Sequence, residues 1–372
     1  MKVAIVSPYA WTTPGGANAH IADLRRHLAG RGHDVSVIAP ANGPADVTGV
    51  GRAIGIPFNG SVATIGFSPA MAFRVRAALR AIDPDVVHVH EPFVPSASIL
   101  SLLAARAPVV ATFHAHIDSL LYRAAGPALR PLFRRIAKPV AVSEPAASSV
   151  ERVFGVRPAI VPNGVDCAAV ADVPPPPPGP PTILYFGRLE RRKGPQVLAR
   201  AIPLIAEREP GARFVFAGDG PLRASLERAL LAHPEPAREA PVAEEPARAA
   251  VTFTGRFTEQ RRRALLAEST IVCLPAIGGE SFGLTVVEAQ AAGRPVVAAA
   301  NPGYASVVED GRTGVLVPVD DHEALAAAIV ALIRDRARLE RMGPAAREGA
   351  KRFDWPVVAG RIEAVYRQAL GG

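Results

Sequence analysis

The chain has 372 residues and a mass of 38.9 kDa, more than one hydrophobic core usually organises, so the length implies two domains. With 49% hydrophobic and 20% charged residues the composition is globular, which excludes a wholly disordered chain; no apolar run approaches the length of a transmembrane helix. The opening MKVAIVSPYA has no cleavable signal pattern, and Cys167 and Cys273 alone cannot build a disulfide framework, which together imply a reducing, cytoplasmic location.

The net charge is +8, and 38 of the 42 basic residues are arginine. Residues 1–171 carry 16 basic and 10 acidic side chains, a net +6, against 26 and 24, a net +2, in residues 172–372. Leu120 to Pro139 holds Arg123, Arg130, Arg134, Arg135 and Lys138 with no acid. That stretch reads either as a contact for an anionic partner, such as a membrane surface, or as a solvated arginine-rich helix.

The first forty residues read as strand (Val3–Ser7), Pro/Gly loop (Pro8–Gly16), helix (about 17–31) and strand (Asp34–Ala39), with Gly32 ending the helix. A helix at about Pro69–Ile82 leads into Val86–Val89, and further strands are read at Val109–Phe113, Val140–Val142 and Ile160–Val161. The proline run 173–181 is taken as a stiff linker. The pattern then restarts with strands at Ile183–Phe186, Phe214–Ala217, Val251–Phe253, Ile271–Leu274 and Pro295–Ala299 and a helix near Pro195–Arg208. Short buried strands alternating with helices predict α/β architecture with parallel sheets. The expected domains are therefore 1–172, a linker 173–181, 182–354, and a last helix within 355–372 whose apolar face must be buried. Two such domains are expected to face a cleft. Residues 232–250 are low-complexity and read as a surface insertion.

Several stretches could carry chemistry. Gly15-Gly16, between strand and helix, could offer amides to an anion, or simply turn the chain; it is neither G-x-G-x-x-G nor a Walker motif. In GRLERRKG (187–194), Arg188 and Lys193 follow a strand and could clamp a diphosphate, or form a basic surface loop. In GGESFGLTVVE (278–288), Ser281, Phe282 and Gly283 could present amides to a phosphate, with Glu280 before a helix and Glu288 more than one turn into it. VVHVHE and VVATFHAH end in His-x-His pairs, His88/His90 and His114/His116, which suggest a polar site at the strand ends rather than a metal centre.

GRLERRKG, ESFGLTVVEA and AAGRPVVA, with the N-terminal Gly-Gly loop, resemble the family 4 retaining glycosyltransferases of GT-B fold over essentially the whole chain. Within that family PYAWTTPGGANAH, IPFNGSVATIGFSPA, VVHVHEPFVPS, ATFHAH, VPNGVD and LVPVDD are most similar to the actinobacterial phosphatidylinositol mannosyltransferases. The resemblance implies two Rossmann-like domains, with the C-terminal helix crossing back to the N-terminal one. It implies that Arg188 and Lys193 hold the donor diphosphate, Glu288 the ribose and Glu280 the sugar hydroxyls. Ser281, Phe282 and Gly283 touch phosphate or sugar, Gly16 approaches the diphosphate, and the segment around Gly255 lies near the base. His114 sits beside the reacting sugar, and Tyr9, Asn59, His114 and His116 face the acceptor. The catalytic set is then His114, Glu280, Arg188 and Lys193, with no metal and no cofactor beyond the nucleotide-sugar co-substrate, GDP-mannose.

The implied activity is retaining hexosyl transfer to an inositol-containing or other anionic lipid, on the inner face of the plasma membrane. Thr64 stands where an arginine is expected and Ala115 where a hydroxyl residue is expected, and helix 69–82 retains only Arg74, Arg76 and Arg80 as its basic residues. A UDP-sugar with a soluble acceptor is the alternative. A nucleic-acid-binding role is disfavoured because the basic residues are not interleaved with aromatics, and a dinucleotide oxidoreductase because the glycine fingerprint is missing.

Overall fold

The computed structural model describes residues 1–13, 15–41, 43, 45–58, 61–117, 119–231 and 250–371. Asn59 and residues 232–249 lie outside them. The chain divides into two compact units, residues 1–164 with 353–372, and residues 165–352.

The first unit is built from β1 (Lys2–Val6), α1 (Gly16–Gly30), β2 (Asp34–Ala39), β3 (Thr48–Gly49), the hairpin β4 (Ile54–Phe58) and β5 (Ser61–Ile65), α2 (Pro69–Ile82), β6 (Val86–His90), α3 (Ala97–Ala104), β7 (Val109–Phe113), α4 (Leu120–Phe133), β8 (Ile136–Ala141), α5 (Glu144–Phe154) and β9 (Ala159–Ile160). Its main sheet is parallel, in the order β3-β2-β1-β6-β7-β8-β9. The strands are buried on both faces, as a parallel sheet requires. In β1, Val3 and Ile5 enter one core with Ile21, Leu24 and Leu28 of α1, while Ala4 and Val6 enter the other with Val75 and Leu79 of α2. That is the two-residue period of a strand covered by helices on each side.

The second unit comprises β10 (Thr182–Phe186), α6 (Pro195–Arg208), β11 (Arg213–Ala217), α7 (Arg223–Leu231), β12 (Ala250–Gly255), α8 (Glu259–Glu268), β13 (Ile271–Leu274), α9 (Leu284–Ala291), β14 (Val296–Ala299), α10 (Pro302–Ala305), β15 (Gly314–Val317), α11 (His322–Arg334) and α12 (Arg336–Ala350). Its parallel sheet runs β12-β11-β10-β13-β14-β15, the doubly wound order in which the strand sequence reverses beside the first strand. The reversal lies between β10 and β13 here and between β1 and β6 in the first unit, and ligands in such sheets bind beyond the carboxyl ends at these points.

The last helix, α13 (Trp355–Ala369), belongs to the first unit. Trp355, Val358, Ile362, Val365 and Tyr366 pack in the core shared by α1 and β1. Trp355 lies flat on the chain at Gly164, where a Cβ would sit 2.3 Å from its ring.

The proline run is not the point of division. The chain leaves the first unit at Gly164, and residues 165–181 belong to the second. Val165, Val170 and Val173 are buried there, Arg347 donates to the Val173 carbonyl, and Arg294 donates to that of Pro174. Pro175 to Pro178 line one side of a pocket of about 580 Å³ together with Ile333, Leu339 and Arg347, while most of the run stays exposed. Among the described residues no helix is long and apolar enough to cross a membrane.

Candidate active site

In the second unit, the loop after β10 and the loop after β13 meet at the reversal of strand order. Gly194, at φ +73°, ends the 3₁₀ turn Arg191–Lys193 so close to β13 that a Cβ would lie 1.9 Å from the Pro275 carbonyl oxygen. Only glycine satisfies both the left-handed backbone and that approach. The contact brings the two motifs together: the Ile277 amide donates to the Arg192 carbonyl at 2.9 Å, and Lys193 Nζ lies 2.6 Å from Glu280 Oε1. Arg192 links Glu190 at 2.6 Å and Glu280 at 3.5 Å, and Arg188 reaches Glu190 at 3.3 Å. Arg188, Lys193 and Glu280 therefore form one charged cluster on one edge of the sheet.

Gly283, at φ +112°, begins α9 without a side-chain cap, and a Cβ there would meet Tyr304 at 2.7 Å. The Ser281–Gly283 amides thus sit at a helix N-terminus beside Glu280, where an anion is favoured. Phe282 is buried beneath them. Glu288, a turn into α9, forms an ion pair with Arg262 of α8. Burial holds its carboxyl above the usual range, against the opposing pull of Arg262. Gly255 ends β12 and accepts a hydrogen bond from Gly218 at 2.9 Å, on the same carboxyl edge.

The first unit has a second polar cluster beyond β1, β6 and β7. Gly16 is the first residue of α1, and nothing lies within 4 Å of where its Cβ would be. His20, one turn on, packs against Trp355 at 5.1 Å between centroids and against His114 at 5.2 Å. His90 and His114 stack at 5.0 Å and share a hydrogen bond of 2.7 Å between Nδ1 and Nε2. His88 is bonded to the Tyr366 hydroxyl and to Thr112, both at 2.7 Å.

Burial lowers the pKa of each ring. His88 falls to about 3, with help from His114; His114 falls to about 4, and Asn163 opposes the shift. His20 and His90 fall well below the ordinary value for the same chief reason, reinforced by neighbouring histidines. All four are neutral at pH 7.

Glu91, directly after β6, has the left-handed φ of +46°, and its Oε1 accepts the amides of His114 at 2.8 Å and Ala115 at 2.9 Å. Burial raises its pKa to about 6, opposed by those two amides. Tyr9, in the loop after β1, is held strongly protonated by burial and by the charge of Glu91. His116 is bonded through Nδ1 to the Pro145 carbonyl and to Ser149, both at 2.9 Å, so that ring nitrogen serves α5. Of the basic stretch 123–138, Arg135 donates to the carbonyls of Leu102, Leu103 and Ala105 at the end of α3, which commits it to the fold.

The sequence reading overlooked three contributors. Arg192 was hidden by its more conspicuous neighbours, Glu91 by the histidines before it, and His20 by lying on α1, far from the His-x-His pairs. The acid ending VVHVHE at a strand terminus was the one local signal.

Two doubly wound parallel-sheet units in one chain make the fold GT-B. Two solved structures share this fold: a glycosyltransferase from Rickettsia africae (TM-score 0.77, 18% identity, 99% of this chain and 98% of that one), and Anabaena Alr3699/HepE in complex with UDP and glucose (TM-score 0.72, 20% identity, 99% of each chain). The "Glycosyltransferase Family 4" model matches residues 14–169, and "Glycosyl transferases group 1" matches residues 180–335. The phosphatidyl-myo-inositol mannosyltransferase of Mycolicibacterium smegmatis is 36% identical over all of this chain and 95% of its own length. The chain belongs to the family 4 glycosyltransferases and is a glycosyltransferase.

Proposed function

We propose that the protein transfers mannose from GDP-mannose, with retention, to phosphatidylinositol or another inositol-containing anionic lipid. The observation that carries this reading is the seating of Lys193 on Glu280 beside Arg188, together with full-length similarity to a phosphatidyl-myo-inositol mannosyltransferase.

A nucleoside diphosphate gains negative charge as the glycosidic bond breaks. Arg188 and Lys193 bring two cations to that charge, and the amides at the start of α9 add fixed dipoles. Glu280 pairs with Lys193, and during transfer the same carboxylate accepts hydrogen bonds from the sugar hydroxyls while Lys193 turns to phosphate. Glu288 binds the ribose. The acceptor hydroxyl attacks from the face that the diphosphate leaves, and its proton passes to the departing phosphate oxygen. The protein then needs no nucleophile, and neutral His114 orients the sugar as a hydrogen-bonding group. Tyr9 contacts the acceptor.

Calorimetric titration with GDP, UDP and ADP in EDTA tests the donor assignment. Tight binding of GDP alone is expected. Preference for UDP would redirect the reading to a UDP-sugar and a soluble acceptor, and binding of none would sink it. Lys193→Ala is expected to weaken GDP binding by about 10- to 100-fold, the value of one charged hydrogen bond of about 1.5–3 kcal/mol. Glu280→Ala is expected to abolish turnover with an unchanged circular dichroism spectrum.

A further inference from the structure

One histidine cluster of the first unit has the geometry of a metal site. One ring nitrogen from each of His20, His90 and His114 lies within 4.8 Å of the other two. His20 and His90 are buried and His114 is half-buried. Two further facts are independent of this proximity: His20 Nδ1 and His90 Nε2 are buried without any hydrogen-bond partner. Buried polar atoms are nearly always paired, so two orphaned nitrogens in one cluster point to an occupant.

The donor set limits what that occupant is. It holds three imidazoles and no carboxylate, since the Glu91 oxygen nearest to His114 is spent on two amides. Mg²⁺ and Ca²⁺ require oxygen ligands and find none. Imidazole nitrogen suits Zn²⁺, Cu²⁺ and Ni²⁺. Zinc bonds of about 2.0–2.1 Å in a tetrahedron place ligand nitrogens roughly 3.3 Å apart, so closure from 4.8 Å requires a shift of about 1.5 Å or less. His20 Nδ1 and His90 Nε2 have no partner to lose, whereas His114 is bonded to His90 and Asn163 and the ion displaces one of these. Three protein ligands leave a fourth position for water.

We propose that His20, His90 and His114 form a three-imidazole site for a late divalent transition metal of the zinc class. Its occupancy removes His114 from the site and inhibits transfer. The inhibitory half rests on the role given to His114 under the proposed function; the binding half does not, because it is measured without substrate.

The test uses EDTA-treated full-length protein titrated with ZnCl₂ against a chromophoric chelator, with Co²⁺ as a spectroscopic probe. One Zn²⁺ per chain is expected, with a tetrahedral Co²⁺ spectrum and no response to MgCl₂. His20→Ala and His20→Gln are expected to weaken Zn²⁺ binding at least tenfold, with thermal melts confirming that both fold, while His322→Ala in the second unit leaves it unchanged. Absence of stoichiometric binding would mean that the orphaned nitrogens hold only water, and binding unaffected by the His20 variants would place the metal elsewhere; either result overturns the site. If Zn²⁺ binds as expected but fails to inhibit transfer, or inhibits wild type and His20→Ala at the same concentration, the inhibitory half is overturned and the site stands.

Discussion

Glu91 holds a strained backbone conformation at φ +46° while its side chain accepts two amides from the next strand end. Non-glycine residues take that conformation at a cost of order 1–3 kcal/mol when surrounding contacts enforce it. Glu91→Ala leaves the His114 and Ala115 amides without their acceptor, a penalty of about 1–3 kcal/mol. It is expected to lower both the melting temperature and kcat, while Glu91→Gln, which keeps an acceptor oxygen, recovers most of kcat. Equal losses in the two variants would show that the charge, rather than the hydrogen bonds, matters. The cysteines give a second check. Cys273 is fully buried and burial pushes its thiol well up, whereas Cys167 is half-buried. Iodoacetamide is expected to label Cys167 alone in the native protein and both thiols in denaturant. At this scale Lys193 and Glu280 were legible because their motifs state their chemistry in consecutive letters. Glu91 and His20 were not, because their partners lie on other elements.

Among elements, α13 bears the most on the first unit. Trp355 is fully buried against Gly164 and the histidines of α1, so Trp355→Ala is expected to destabilise that unit by about 3–5 kcal/mol. Calorimetric scans should show the loss in one transition, with GDP binding retained by the second unit. Glu363 ties α13 to the end of α1: Arg31 lies 2.7 Å from it, and Arg367 also pairs with it. The hydrogen bond to Arg31 is the chief reason its carboxyl is held below the ordinary range. A depressed acid stabilises the fold above its unfolded value near 4.5, and that contribution disappears as the pH falls below it. Wild type and Glu363→Gln should therefore differ in melting temperature at pH 7 and converge near pH 3. The gap should be on the order of 1 kcal/mol or less, since the arginines are solvated. The helix itself was readable from its apolar spacing, and so was its need for a partner. The family resemblance already implied the N-terminal domain as that partner; the particular contacts, such as Arg31 with Glu363 more than 300 positions on, were not readable.

For the molecule as a whole, the proposed lipid acceptor requires a surface that meets an anionic interface. On α2, Phe73 is 74% exposed beside the exposed Arg74, Arg76 and Arg80, and Phe67, just before it, is 62% exposed. On α4, Leu120 is 81% exposed, and Arg123, Arg130 and Arg134 are also exposed. Apolar tips among cations suit an anionic interface, where each basic residue contributes about 1 kcal/mol. Charge removal at Arg123, Arg130 and Arg134 is expected to weaken binding to phosphatidylinositol-containing vesicles tenfold or more in flotation assays, and Phe73→Ser to weaken it further. Unchanged binding in both would mean that these faces are only solvated.

Periodicity located nearly every parallel strand, because a strand buried on both faces leaves an apolar run that no solvent-facing segment shares. It missed the β4–β5 hairpin, the strand β15 and helices α11 and α12, although Asp321 and Asp335 cap those two helices. The proline run looked like a linker because stiffness is a local property; the packing of Val173 and Pro174 against Arg347 and Arg294 is not. The sequence by itself therefore determined the class of fold, through strands and helices alternating along the chain, and the family, through motifs of a few consecutive residues. Only the tertiary structure decided where the chain divides, which carboxylate holds the His114 loop, and that three histidines from three elements converge. Those facts depend on through-space distances between residues far apart in the chain, which one-dimensional order does not encode.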